Sequence, residues 1–347
     1  MTERRLYLDV GAGETRGVVT LDGRPERLLL ARDGDLDVQA LGARLTARVR
    51  ALDRANALAF LDLGSGPDAV LNLSREAGAI TEGQALEVEI RTEARQGKGA
   101  TARLLGPAEG PPRLLAPAPT IEEQLIGFAS HADILTGPVA RSVADGAQEE
   151  ALATVFALPG GGSVAIEPTR ALVAVDVDLG ARPGAEAKRA TRAANFAALG
   201  VAARVLRLKG LGGLVVIDLV GRGHDAPALV SAARAAFGPD NPGVALGAVS
   251  RFGTLELTVP RRARPVLDTL TDEHGEISVL TEALGLVRAI EREAIADGGG
   301  RFVGVAAPEV ADAAAPSVIM LAARLGGRIT VRGEVGRARG QSQVAKL

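Results

Sequence analysis

The chain contains no cysteine. Disulfides, thiolate zinc sites and cysteine nucleophiles are therefore excluded. Tryptophan is also absent, and one Tyr and seven Phe are the only other aromatics in 347 residues. The core must be assembled from Ala, Val and Leu. No run of about 18 apolar residues exists, so no transmembrane span is expected. Met1-Thr2-Glu3-Arg4-Arg5 is followed by too short an apolar run for a signal peptide, and a cytoplasmic location is expected. Charge of one sign is lacking too: the formal net charge is -2. Global charge gives no basis for nucleic-acid binding, which would have to rest on local basic patches. His131, His224 and His274 lie far apart and match no metal or triad spacing, so surface histidines are expected, with a site role left open for His224 in the glycine-rich loop after Asp218.

What is present reads as a globular protein, with 47% hydrophobic and 24% charged residues. The length allows two or three domains. Short strands open the chain at Leu6–Val10 and Val18–Leu21, with Asp22-Gly23 as a hairpin turn. Residues 36–105 alternate like strands in several short runs, which suits a small barrel of the oligonucleotide-binding type. Residues 106–119, with five prolines, read as a linker or a wrapping segment. Residues 120–158 read as helical, starting at Thr120 and again from Asp145.

The central block holds the densest signals. A hairpin is predicted over 163–167 and 171–177, then a helix over 185–208, a strand ending at Asp218 and a helix over 226–237. Strand–helix–strand with short loops is a crossover unit of a mixed or parallel sheet. The stretch 275–347 alternates helix (Leu284 to Ala296), strand (Arg301 to Val305), helix (Ser317 to Leu325) and strand (Arg328 to Val331), and reads as a small separate α/β domain.

Two apolar runs end on aspartate: Ala171-Leu172-Val173-Ala174-Val175-Asp176-Val177-Asp178 and Leu214-Val215-Val216-Ile217-Asp218. Such runs suit buried strands. Carboxylates at neighbouring strand ends can hold a hard divalent cation, leaving positions for water and phosphate oxygen. Ordinary polar strand ends would give the same pattern. Asp178 shares a face with Asp176 and reads as a third ligand, an orienting group or a turn former before Gly180. The basic face of the central helix (Lys188, Arg189, Arg192), the cluster Arg261, Arg262, Arg264 and the loop Arg95-Gln96-Gly97-Lys98-Gly99 read as phosphate contacts or as solvated surface. Asp9-Val10-Gly11-Ala12-Gly13 also resembles the first phosphate loop of actin-like ATPases, a rival reading.

Several segments together resemble the ribonuclease E/G family. They are Leu158 to Val177, Leu206 to Leu219 and Ser250-Arg251-Phe252-Gly253-Thr254-Leu255-Glu256-Leu257, in matching order and spacing. Ala59 to Gly64 and Gln96 to Ala100 look like that family's S1-type RNA-binding domain, and Ile290 to Ala294 and Gly327 to Arg332 like its small domain. The resemblance implies a multidomain α+β and α/β chain. An N-terminal piece, 1–35, would pack with 120–157, and an S1-type barrel, 36–105, would be inserted near the N-terminus. A central mixed-sheet metal-nuclease domain, 158–265, and a small C-terminal α/β domain, 275–347, would follow. It implies an endoribonuclease that uses Mg2+ or Mn2+ to cut single-stranded RNA to 5′-phosphate and 3′-hydroxyl products. Asp176 and Asp218 would be the catalytic metal ligands, with Asp178 beside them. Phe60, Lys98, Lys188, Arg189, Arg192 and Arg251 would contact RNA.

The departures from the family are specific. Thr271-Asp272-Glu273-His274-Gly275 stands where a cysteine-containing zinc-link belongs, so no zinc and no zinc-tied oligomer is expected. Asp178 replaces an Asn. The region 106–157 is short and shows no pocket for a 5′-monophosphate. An RNA-binding relative without turnover is the alternative these departures leave open.

Overall fold

The computed structural model describes residues 3–73, 80–95, 98–180, 187–239 and 241–347. It begins with an antiparallel meander, β1 (Arg4–Val10), β2 (Glu14–Leu21) and β3 (Arg24–Arg32). The β2–β3 turn uses Asp22-Gly23, the hairpin dipeptide read from the sequence, with both residues at positive φ.

Six strands follow: β4 (Arg44–Asp53), β5 (Leu58–Asp62), β6 (Ala69–Asn72), β7 (Ala85–Thr92), β8 (Thr101–Pro107) and β9 (Arg113–Ala116). The first five close on themselves in the order β4-β5-β6-β8-β7-β4, with β6 and β8 parallel and the other pairs antiparallel. Closure removes the free edges that short strands would otherwise expose. Leu45, Val49, Leu61, Leu71, Val88 and Ile90 fill the interior. Part of the proline-rich segment is not loose: β9 pairs with β4, Arg44 opposite Ala116. Two leucines and no proline in 113–116 leave its amides free to pair.

The chain then forms α1 (Ile121–Phe128), β10 (Ile134–Leu135) and α2 (Pro138–Leu152). Thr120 caps α1 and receives the reciprocal bond from Glu123, the capping box that its sequence spacing encodes. The second helix starts seven residues before the expected Asp145, because Pro138 occupies its first turn and Gly137 turns the chain at φ 74°. Strand β10 runs parallel to β1, and α1 and α2 cover the meander.

The central unit is a six-stranded mixed sheet ordered β11-β12-β13-β14-β16-β15. Its elements are β11 (Val155–Ala157), β12 (Ser163–Pro168), β13 (Val173–Asp178), α3 (Ala187–Lys209), β14 (Gly213–Asp218), α4 (Ala226–Phe237), β15 (Ala245–Val249) and β16 (Thr254–Val259). Helix α3 makes the crossover between parallel β13 and β14. Val164, Ile166, Val173, Val175, Val177, Val215, Ile217, Leu255 and Leu257 face α3 and α4 and form the largest core. The other face bears Asp176, Asp178, Asp218, Leu214 and Glu256, all exposed. The period-2 split of each strand thus decides which residues are core and which are available for chemistry.

The chain ends with α5 (Val266–Leu270), α6 (Val279–Ala296), β17 (Phe302–Ala306), α7 (Pro308–Leu325), β18 (Ile329–Gly333) and β19 (Gln343–Lys346). Helix α7 begins well before the expected residue 317 and carries Pro316 inside it. Its burial of Val310, Ala311, Ala314 and Val318 offsets the missing amide bond.

A buried ionic network ties this last unit to the meander. Arg16, 1% exposed, gives two bonds to Asp9 Oδ2, at 2.6 and 3.0 Å. Arg141 Nε donates to Asp9 Oδ1 at 3.2 Å and pairs with Glu291 at 2.8 Å. Glu14 accepts from Arg32 at 2.8 Å and from Arg288 at 2.7 Å. Burial, and next the neighbouring Arg16, push the Arg288 guanidinium below its ordinary range. Both Asp9 oxygens are therefore engaged by guanidinium groups. A side chain at Gly13, at φ 89°, would strike Ser317 of α7. The Asp9–Gly13 turn packs against a helix, an arrangement that does not favour a phosphate loop.

Candidate active site

Asp176 and Asp218 pair in register on parallel β13 and β14. Adjacent strands lie about 4.8 Å apart, and both side chains project from the uncovered face. On the same row Asp176 faces Ala165 of β12, and Asp218 faces Thr254 of β16. The pair therefore has a small residue on one side and a hydroxyl on the other. Two exposed carboxylates suit a hard cation that keeps several waters, as Mg2+ does. Among the described residues no group of three His, Cys, Asp or Glu side chains forms a full protein cage. Asp178 shares the face, and its Oδ1 accepts from the Gly180 amide at 2.9 Å, which spends one oxygen on the turn.

The loops around the pair are fixed by backbone. Gly162, at φ 84°, turns against the end of β13, where any side chain would run into the Asp178 carbonyl. After β14, the Leu219 amide donates to the Gly253 carbonyl at 3.1 Å. Asn195 of α3, 2% exposed, holds Val220 from both sides: Nδ2 donates to its carbonyl and Oδ1 accepts from its amide, each at 3.0 Å. Asp218 is thus anchored through the two residues that follow it. Sequence reading passed over Asn195. The available signal was an amide at helical spacing with Ala198, Leu199 and Ala202, where a buried polar group must find partners.

The turn Ser250-Arg251-Phe252-Gly253 stands beside Asp218. Ser250 Oγ accepts from the Phe252 amide at 3.2 Å and the Thr254 amide at 3.3 Å, closing the turn. Phe252 is 76% exposed, with the Arg251 guanidinium 4.6 Å from its ring centre. It is a second residue the sequence reading left unassigned, although an aromatic inside a tight turn is a recognisable signal.

The expected RNA contacts divide into two places. Arg189 and Arg192 are exposed at the start of α3, and Arg192 pairs with Asp225 at 3.2 Å. The Lys188 side chain and residues 96–97 lie outside the described residues. Phe60 points outward from β5 opposite Val70 of β6, and Lys98 lies exposed just before β8, the strand beside β6. Phe60 and Lys98 therefore belong to one side of the barrel. Two members of the arginine cluster serve the frame. Arg261 Nε donates to the Gly212 carbonyl at 2.5 Å, and burial lowers its pKa. Arg264 pairs with Asp35 at 3.2 Å, and its amide donates to Glu93 of the segment after β7 at 2.7 Å.

Among the histidines, His131 and His274 match the surface expectation, but His224 does not. Its Nε2 is buried with no hydrogen-bond partner.

Comparison with known proteins agrees with the resemblance read from the sequence. Residues 138–262 match the model of the ribonuclease E/G family. Over 116 residues the chain is 34% identical to ribonuclease E of Haemophilus influenzae, covering 33% of this chain and 12% of that protein. It is likewise 34% identical over 116 residues to ribonuclease E of Escherichia coli, covering 33% and 11%. Ribonuclease G of Salmonella typhimurium is 29% identical over 175 residues, covering 48% and 36%. The alignments span about an eighth of the length of the ribonuclease E relatives. The matched region contains the whole aspartate-bearing sheet and both helices behind it.

Proposed function

We propose that this chain, a member of the ribonuclease E/G family through residues 138–262, is an endoribonuclease acting on single-stranded RNA. The observation that carries the reading is the in-register pair Asp176 and Asp218 on an uncovered sheet face. Both would hold Mg2+ or Mn2+, with Asp178 adding negative charge beside them. When bound, such a cation supplies positive charge for phosphodiester hydrolysis and favours attack by water.

The remaining work falls to side chains of this chain. Arg189, Arg192 and Lys188 from α3 and Arg251 from the adjacent turn would bind backbone phosphates around the scissile one. Anchoring by Asn195 and Gly253 keeps Asp218 from drifting, which matters because small displacements of reacting groups are costly. We read the closed barrel as the S1-type RNA-binding module. Phe60 would stack a base there and Lys98 would neutralise a phosphate. Hydrolysis of this kind leaves a 5′-phosphate and a 3′-hydroxyl. Any oligomer would be built without a zinc link, and the 5′ end of the RNA would matter little. Among the described residues no helix is long and apolar enough to cross a membrane.

The test is incubation of the purified chain with end-labelled single-stranded RNA, with Mg2+ and with chelator. Cleavage only with metal, giving 5′-phosphate ends, is the expected result. RNA binding without metal-dependent cleavage would establish the non-catalytic relative instead. Nucleotide hydrolysis without RNA cleavage would favour the ATPase reading, which the engagement of Asp9 by Arg16 and Arg141 already opposes.

A further inference from the structure

A cavity of about 300 Å³ opens between the first half of α3 and the loop that follows β14. Its lining includes Arg192, Phe196, Arg222, His224 and Asp225. The volume corresponds to about ten waters, within the range of small-ligand sites. Its chemistry is distinctive. Two rings, Phe196 from α3 and His224 from the loop, form walls on different elements. Two guanidinium groups, Arg192 and Arg222, stand exposed at the rim. Arg192 lies 5.4 Å from the centre of the Phe196 ring and reaches Asp225 at 3.2 Å.

The walls are rigid. Asn195, next to Phe196, pins Val220 with its two 3.0 Å bonds. The His224 Nε2 is buried in the space that Gly253 leaves, since a side-chain carbon at Gly253 would lie only 3.2 Å from it. The same Gly253 carbonyl holds the Leu219 amide, one residue after Asp218. The cavity is therefore coupled to the carboxylate pair through a short, backbone-fixed loop.

We propose that this cavity is a subsite for an unpaired nucleobase, with the attached phosphate held by Arg192 and Arg222. The argument is one of complementarity. A flat apolar ring needs aromatic walls, which stack any base without sequence preference. The phosphate it carries needs cations at the mouth, where guanidinium groups can bind two oxygens at once. Neither a metal ion nor an apolar ligand matches both features. The loop wall of the cavity begins at Gly221, three residues after Asp218, so the occupant would be a nucleotide of the strand that carries the scissile phosphate. This last point rests on the nuclease reading, whereas binding of a nucleobase does not.

The absence of tryptophan from the chain allows a direct test. Phe196→Trp places a sole indole in the cavity wall. Titration with AMP, GMP, CMP and UMP, without divalent metal, should quench its emission saturably. Ribose 5-phosphate at equal concentration should leave it unchanged. Adding Arg192→Ala, at a position 63% exposed, should weaken nucleotide binding about ten-fold. Because Phe196→Trp could disturb packing, saturation-transfer NMR on the unaltered chain is the second measurement. The base protons of the nucleotides should receive magnetisation, and less in Arg192→Ala.

No quenching and no transfer would overturn the proposal, as would equal binding of ribose 5-phosphate. Metal-dependent RNA cleavage with a silent cavity would sink this inference alone. Base binding by a chain that never cleaves RNA would sink the nuclease reading and leave the subsite standing.

Discussion

Asp176 and Asp218 stand side by side because β13 and β14 are parallel neighbours paired in register, Val173 with Val215 through Asp176 with Asp218. A slip of one residue in either strand would turn its carboxylate into the core and a valine or leucine out to solvent. The register is held by the Val and Ile side chains on the opposite face, so the core itself sets the spacing of the two acids.

Asp176→Asn and Asp218→Asn should each reduce metal-dependent RNA cleavage by roughly a thousand-fold or more, the loss of several kcal/mol of charge stabilisation. Both positions are exposed, so thermal stability should hardly change. Cleavage by either variant at a rate near that of the unaltered chain would remove the pair from the mechanism.

Lys209 should give stability a distinct alkaline dependence. It is 0% exposed, bonds the Ala153 carbonyl and lies 5.3 Å from the Phe156 ring centre. Burial lowers its pKa from 10.5 to about 8. The unfolded chain therefore binds more protons between about pH 8 and pH 10.5, and stability rises with pH across that window. The gain attributable to this group is about 3 kcal/mol. Lys209→Met should abolish this component, so the stability difference between the two proteins in urea should shift in favour of the unaltered chain from pH 7.5 to pH 10.5. Parallel curves over that range would contradict the assignment.

The network between the meander and the C-terminal unit should behave as a buried ionic cluster. Arg16→Met would leave Asp9 with Arg141 as its remaining close cation. A loss of about 3–5 kcal/mol in urea unfolding is expected. A variant within about 1 kcal/mol of the unaltered chain would show that the cluster is energetically idle.

Lys98 should contribute one phosphate contact. In Lys98→Ala, RNA affinity should fall, and the slope of log K against log salt should become shallower by about 0.7. Fluorescence anisotropy at several salt concentrations measures both. An unchanged slope would place the RNA away from the β5–β6–β8 side of the barrel.

Much of this organisation is legible in the sequence. The Val- and Ile-rich runs specify β13 and β14, since residues buried together leave little alternative to a strand. Thr120 with Glu123, and Asp225 before Ala226, mark helix starts through capping chemistry that acts within three residues. The order of motifs around Asp176, Asp218 and Ser250 carries the resemblance to the ribonuclease E/G family that the match over residues 138–262 repeats. These signals are local, so the chain carries them without its fold.

Tertiary structure decided the rest. Pro316 looked like a boundary of α7, yet burial of the helix on both sides of it outweighs the lost bond. Arg261 and Arg264 looked like phosphate contacts, and long-range acceptors at Gly212 and Asp35 claimed them. Asp9 looked free to serve a nucleotide until Arg141, far along the chain, closed on it. Asn195, Phe196 and His224 carried no shared pattern, because a cavity is formed by elements that meet only after α3 has packed across the sheet. Periodicity and capping report what a residue needs from its near neighbours. Which distant partner satisfies a charge, and what space is left between two elements, is fixed only when the whole chain has folded.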